Sequence, residues 1–304
     1  MITRGELDIY HVDAFTDAPF GGNPASVVLG ADRLEEEMLH KIAREMNTRE
    51  TVFVMQSKIA SFQFRYFTPK SEIGFSGHPT IAAFHALLRE GLIEAVKDVT
   101  MVTLETKVGL LDIEIVKNEF TGRHEIQITH RKPIFLETYD PKDYLEALGL
   151  SLADFHSPNP IQTVSTGTPH LILPVSTMRA LDRIKPNWDQ LKELQRNSDY
   201  VSLSVFTRET RDPTSDAQVR HFAPALGVYE DPVSGSAAGS LGSYLIRYGF
   251  MEPTQPVTSI VIEQGHYVGR PGKIYVEVRG TQESIDQVKV SGTGVMIFKG
   301  TLYY

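Results

Sequence analysis

Arg65–Ile93 reads RYFTPKSEIGFSGHPTIAAFHALLREGLI, and Arg220–Phe250 reads RHFAPALGVYEDPVSGSAAGSLGSYLIRYGF. Phe67 and Pro69 of the first stretch match Phe222 and Pro224 of the second. Gly77 and Gly91 match Gly235 and Gly249, with three extra residues in the middle of the copy. Each stretch reads as a strand ending at a proline, a loop carrying an acidic residue, a glycine, and a helix that stops near the next glycine. This internal copy decides the architecture: an α+β chain made of two similar halves.

The two helices share a composition that places them. Thr80–Leu87 carries no charged face, and Ala237–Ile246 is built from Ala, Gly, Ser, Leu, Tyr and Ile. A helix without a charged face belongs inside a sheet or barrel, so two such helices imply two cores. The glycine at each helix start lets backbone N–H groups approach a ligand, and the free N–H groups there favour an anion. One glycine of this kind reads as a tight turn. Its recurrence at Gly77 and Gly235 points instead to a matched pair of anion holders.

The remaining sequence repeats the same order around these stretches. Leu7–Phe15 alternates as a strand, TDAPFGGN (Thr16–Asn23) is a turn, and Ser26–Leu29 resumes as a strand. Asp32 is placed to open an amphipathic helix, with Glu35 completing a capping box. NTRETVFV (Asn47–Val54) leads from a turn into a strand, and Glu50 stands at its mouth, where a carboxylate can serve as a general base or be a solvated turn residue. In the second half, TGTPHLILPV (Thr166–Val175) resembles GGNPASVVLG, Asn187–Gln195 is a helix, and Tyr200–Phe206 is a strand like Thr51–Val54. Between the halves, Thr100–Val116 and Glu125–His130 are β-rich around a Thr121-Gly122 turn. Pro141–Leu150 is a helix capped by Asp140, and the Pro-rich Asp154–Ile161 suits a loop near a domain boundary. GHYVGRPGK (Gly265–Lys273) is a Gly-rich hairpin on which Arg270 can reach an acid or simply be solvated, and the apolar Gly294–Tyr303 reads as a buried final strand. The division is therefore residues 1–130 and 131–290, with the C-terminal strand near 291–304 a candidate to complete the first lobe and a ligand site in the cleft between copies.

Bulk properties bound the function. The 304 residues carry a net charge of −8, which argues against nucleic acid or an anionic membrane as a partner. No apolar run of about 18 residues and no signal-peptide pattern from Met1 to Tyr10 occurs, so the cytoplasm is the expected location. Zero cysteines removes thiol nucleophiles, thiolate zinc sites and thiol acid/base pairs in one step. The histidines form no HxH or HxxxH pair and no GxGxxG occurs at a strand-to-helix turn, so neither a metal nor a dinucleotide cofactor is expected.

VDAFTDAPFGGNPASVV, the ET of NTRETVFV, FTPKSEIGFSGHPT, EDPVSGSAAG and GRPGKIYVEV, in this order over nearly the whole chain, resemble the successive signatures of the phenazine-biosynthesis PhzF-like family. The resemblance implies a diaminopimelate-epimerase-like fold, two lobes each with a curled, mostly antiparallel sheet or barrel around a central helix, in a homodimer. It implies an isomerase that moves a proton between carbons with a glutamate as shuttle and no cofactor. Carried over residue by residue, Glu50 is the proton carrier, with His78 and Asp231 beside it. Gly77, Gly235 and Ser236 would bind a small carboxylate-bearing substrate, with Asn23 and Arg270 as further binding candidates. Read without the family, His78 is equally a helix-cap histidine and Asp231 a turn residue before Pro232. Where the family pattern has a small hydroxyl residue before the glutamate, this chain has Arg49, a cation expected to favour the ionised carboxylate and weaken it as a base if the side chains meet, or else to point to solvent or grip a different anionic substrate. A dehydratase or other lyase on the same scaffold, or a binding protein without chemistry, are the alternatives.

Overall fold

The computed structural model describes residues 5–118, 122–196 and 198–304. Thr121 of the expected Thr121-Gly122 turn lies outside them. Contacts divide the chain into two units, Met1–Ile128 with Ser291–Tyr304, and Thr129–Val290.

In the first unit, Phe62, Phe64 and Tyr66 alternate with Gln63 and Arg65, the period of a strand with two unlike faces. The chain runs β1 (Glu6–Ala14), β2 (Asn23–Leu29), α1 (Glu36–Met46), β3 (Thr51–Met55), β4 (Phe62–Phe67) and β5 (Glu72–Ile73). It continues through α2 (Gly77–Arg89), β6 (Val99–Thr106), β7 (Gly109–Lys117) and β8 (His124–His130). β2 is antiparallel to β1 and parallel to β3; β4 is antiparallel to β3 and parallel to β6; β7 is antiparallel to β6. The final strand, Gly294–Tyr303, pairs antiparallel with β1. One face of the sheet takes α2, which packs on β1, β2, β3 and the final strand. α1 packs on β3 and β4 and buries Leu39, Ile42 and Ala43 in a core with Ile9, Val28, Phe53 and Phe67.

The second unit repeats that order. It contains β9 (Ile134–Tyr139), α3 (Pro141–Ala147), β10 (Ile161–Ser165), β11 (Pro169–Pro174), α4 (Met178–Arg183), α5 (Trp188–Arg196) and β12 (Ser202–Thr207). There follow β13 (Ala217–Ala223), β14 (Val228–Asp231), α6 (Gly235–Arg247), β15 (Thr258–Gln264), β16 (Gly272–Gly280) and β17 (Ile285–Gly292). β11 is antiparallel to β10 and parallel to β12; β13 is antiparallel to β12 and parallel to β15; β16 is antiparallel to β15. α6 packs on β10, β11 and β16. α2 and α6 are both 13 residues long, begin at the matched Gly77 and Gly235, and stop before Gly91 and Gly249, each at φ 68°.

A side-chain pair repeats with the backbone. Arg65 Nε donates to Glu72 at 2.8 Å with its guanidinium 5.2 Å from the Phe67 ring centroid, and Arg220 Nε donates to Glu230 at 3.1 Å with its guanidinium 5.2 Å from Phe222. Each pair clips the short strand after the proline to its neighbour. The α+β class read from the sequence, with two similar halves that each carry a sheet against a central helix, is the one observed.

Three local expectations fail. No helix opens at Asp32: Ala31–Arg33 makes a single 3-10 turn, α1 starts at Glu36, and Asp32 Oδ1 instead accepts from the Gln56 N–H at 2.6 Å. The carboxylate is taken by backbone distant in sequence, so it cannot cap. The final strand is not buried: its outward side chains Phe298 and Tyr303 are 48% and 63% exposed. The Pro-rich Asp154–Ile161 lies within the second unit rather than at its edge.

Candidate active site

Glu50 sits one residue before β3, and its backbone is held: the carbonyl accepts from Ser26 N at 3.3 Å and from Thr48 Oγ1 at 3.0 Å. Its carboxyl is 7% exposed, so it is not a solvated turn residue. Oε1 lies 3.8 Å from Arg49 Nε, and Oε2 lies 3.5 Å from His78 Nδ1 in the first turn of α2. Among the described residues no hydrogen bond reaches Oε2. Burial is the largest influence on this carboxyl and raises its pKa above the usual carboxylate range, against the smaller opposing effects of Arg49 and of a hydrogen bond from Ser76. Arg49 favours the anion as expected, but losing water costs the carboxylate more than a cation at 3.8 Å returns, so the net shift is upward.

The start of α2 is built around this group. Ser76 occupies the N-cap position but makes no side-chain cap bond. Its hydroxyl turns to Glu50 instead. The helix start is positioned by another residue: Thr80 Oγ1 donates to the Ser76 carbonyl at 2.6 Å and receives the Tyr66 hydroxyl of β4 at 2.7 Å. Gly77 has no positive φ, and a Cβ built there would meet nothing within 4 Å among the described residues. Neither backbone strain nor packing in the chain calls for glycine at this position. Asn23, buried at 1% exposure, opens β2, the strand that carries Ser26.

In the second unit α6 starts in the same way, with Ser234 at the N-cap making no side-chain cap bond and no acidic residue in the first turn. Asp231 ends β14 at 3% exposure. The buried Gln264 joins it to the helix start, donating Nε2 to the Asp231 carbonyl at 2.8 Å and accepting from Ser234 N–H at 3.3 Å. Arg270 lies beyond the 3-10 turn His266–Val268 that follows Gln264, with its N–H bonded to the Gly265 carbonyl at 3.0 Å. Ser236 Oγ is 3.0 Å from His170 Nε2, and His170 Nδ1 is 2.6 Å from Ser202 Oγ. The structure thus brings Glu50, His78 and Gly77 together in the first unit, and Asp231, Gly235 and Ser236 in the second.

With this geometry in hand, comparison with known proteins is decisive. A profile of the PhzC-PhzF family, phenazine biosynthesis-like proteins, matches residues 12–300. The chain belongs to this family. It is 36% identical over 298 residues to an uncharacterised isomerase of Bacillus subtilis, covering 97% of this chain and 98% of that one. It is 34% identical over 294 residues to the trans-2,3-dihydro-3-hydroxyanthranilate isomerase of Pseudomonas fluorescens, covering 96% and 97%. The crystal structure of a PhzF-family phenazine biosynthesis protein from Bacillus anthracis superposes with a TM-score of 0.86 at 33% identity, covering 98% and 99%.

In this PhzC-PhzF chain the two copies keep one frame and change its polar groups. Thr51 pairs with Phe67 across β3 and β4, and Leu203 pairs with the matching Phe222 across β12 and β13. The residues just before, Glu50 and Ser202, therefore hold equivalent places. By the same ladders Tyr66 pairs with Ile73 and His221 with Asp231, so Asp231 stands where the first unit has an isoleucine. Sequence reading missed Ser76, Gln264, His170 and Ser202. Only the Pro-His of TGTPHLILPV, aligned with Asn-Pro-Ala of the first half, offered a signal.

Proposed function

We propose that this family member is a cofactor-independent isomerase that moves a proton between carbons of a small carboxylate-bearing substrate, with Glu50 as the proton carrier. The observation that carries the reading is the Glu50 carboxyl: buried, raised in pKa, with Oε2 free of hydrogen bonds among the described residues. A buried carboxylate oxygen without a hydrogen bond, with His78 Nδ1 3.5 Å away, is costly unless it has a proton to take, and a raised pKa makes it a stronger base near neutral pH. Glu50 removes a proton from one carbon as the anion and returns it to another as the acid, ending in its starting state. His78 adjoins that exchange. The substrate carboxylate is held by the uncapped N–H groups of α2, beside the open side of Gly77. Asp231, Gly235 and Ser236 are substrate contacts in the same reading, with Asn23 and Arg270 as further contacts.

The named activity of the Pseudomonas fluorescens relative makes trans-2,3-dihydro-3-hydroxyanthranilate the first substrate to assay. Glu50→Gln keeps the shape and removes the base, so turnover falls by about a hundred- to ten-thousandfold while the chain stays folded. In deuterated water the product gains solvent deuterium at the receiving carbon. Undiminished turnover in the variant would remove Glu50 from the mechanism, and a product short of water or carbon dioxide would replace isomerisation with a lyase reaction.

A further inference from the structure

The second unit holds a chain of three side chains, the buried Ser202 and His170 and the partly buried Ser236, at the places where the first unit has Glu50, Ala25 and His78. One step back from the pairing of Ser26 with Thr51, Ala25 lies opposite Glu50, just as His170 lies opposite Ser202. Ala25 is fully buried in its unit, so the frame does not require a histidine at this place. Something other than packing accounts for His170.

The hydrogen bonds define what the ring does. Ser202 is 2% exposed, and among the described residues its hydroxyl has one partner, His170 Nδ1 at 2.6 Å. If Nδ1 carried the proton, the Ser202 hydroxyl would be left with no acceptor in a site that solvent does not reach, a cost that buried polar groups avoid. Ser202 therefore donates to Nδ1, and the ring proton resides on Nε2. Nε2–H then donates to Ser236 Oγ at 3.0 Å. The Ser236 oxygen is thereby used as an acceptor, and its own proton stays available. Ser234 Oγ, at 3.5 Å, is a poor taker for it. Burial, with His130 adding to it, pushes the His170 pKa down to about 3, so the ring stays neutral and the assignment holds at physiological pH.

We infer that His170 is a positioning residue for Ser236: the Ser202–His170–Ser236 chain locks the imidazole as the Nε2–H tautomer and so directs the Ser236 hydroxyl, partly buried in the first turn of α6, as a donor to a substrate oxygen. The inference rests on the reading of Ser236 as a substrate contact and adds the group that orients it. It assigns the second unit a neutral hydroxyl donor at the place of His78.

Two measurements on the full chain test it. Nitrogen-15 histidine NMR, with the His170 signals assigned by their loss in His170→Phe, is expected to show the Nε2–H form, and Ser202→Ala is expected to mix in the Nδ1–H form. An Nδ1–H ring in the wild type overturns the inference. Kinetics with trans-2,3-dihydro-3-hydroxyanthranilate form the second measurement. Ser236→Ala and His170→Phe should each lower kcat/KM by about a hundredfold, the scale for loss of one aimed donor. The double variant should lose no more than either single one, and His170→Gln, which retains an N–H, should recover about tenfold. Multiplying losses in the double variant would show that His170 does not act through Ser236. Unchanged turnover in Glu50→Gln would overturn the functional reading while leaving the tautomer result to decide this inference.

Discussion

Gly77→Ala separates a structural glycine from one that leaves room for a ligand. Gly77 is the first residue of α2, its φ is not positive, and an added Cβ meets nothing within 4 Å among the described residues. Alanine fits this conformation and reduces the freedom of the unfolded chain, which stabilises by about 0.4–1 kcal/mol. For a chain of this size that is a rise in Tm of roughly 1–4 °C. In the proposed function the same methyl group enters the space where a carboxylate meets the helix N–H groups. Crowding of that order costs about 1–3 kcal/mol, or roughly five- to 150-fold in substrate affinity. Stability and activity should therefore move in opposite directions. Gly91→Ala is the control: its φ of 68° is left-handed with open space around it, so alanine there costs about 1–2 kcal/mol through the backbone and leaves kinetics unchanged. Differential scanning calorimetry and steady-state kinetics on both variants decide. A loss of stability in Gly77→Ala like that in Gly91→Ala would make Gly77 a backbone requirement, and full activity would show that no substrate uses the space beside it.

Further expectations concern buried charge. The folded-state pKa of Glu50 is raised, so between the unfolded and folded values the folded chain binds more protons, and stability falls as pH rises through that window. Glu50→Gln should accordingly be more stable than the wild type at neutral pH, with the difference vanishing below the unfolded carboxylate range. Thermal melts across acid to neutral pH that diverge in the wild type's favour would mean that Arg49 outweighs desolvation. Arg220 is 10% exposed, chelates Glu230 and donates to the Leu181 and Ile184 carbonyls, so Arg220→Ala leaves buried partners bare and should cost about 3–5 kcal/mol in denaturant unfolding. The matching Arg65→Ala should cost only about 1 kcal/mol, because Arg65 is 25% exposed and Glu72 keeps Lys107 at 3.1 Å.

The duplication was legible because its signals are local. Proline ends β4 and β13, glycine bounds α2 and α6, and the uncharged faces of those helices reveal their burial. Other features depend on residues far apart in sequence. Asp32 looks like a helix cap until Gln56, 24 residues on, takes its carboxylate. Glu50 at a strand mouth looks solvated, and its burial comes from the ladder with β2 and the start of α2. Arg49 next to it was read from adjacency alone, which shows the attraction and not the larger desolvation that opposes it. Ser76 was invisible because a serine before a helix normally caps it, and this one turns to Glu50. Gln264 reads as any polar strand residue until its amide is seen to join the Asp231 carbonyl to the Ser234 N–H.

What the two copies kept and what they changed bears on the reaction. The ladders, the helix starts and the arginine–glutamate clip are common to both, and these hold backbone. The differences, Glu50 against Ser202, Ile73 against Asp231, Ala25 against His170 and His78 against Ser236, all fall where side chains meet a helix start or the mouth of a strand. Inverting one carbon with a base on each side calls for two equivalent proton carriers. Here the place equivalent to Glu50 is Ser202, a hydroxyl that does not ionise near neutral pH and that is tied to a neutral histidine. The second unit's carboxylate, Asp231, stands instead at the place of Ile73. In the proposed function this divergence suits relocation of a proton by one carrier, Glu50, better than inversion between two matched carriers.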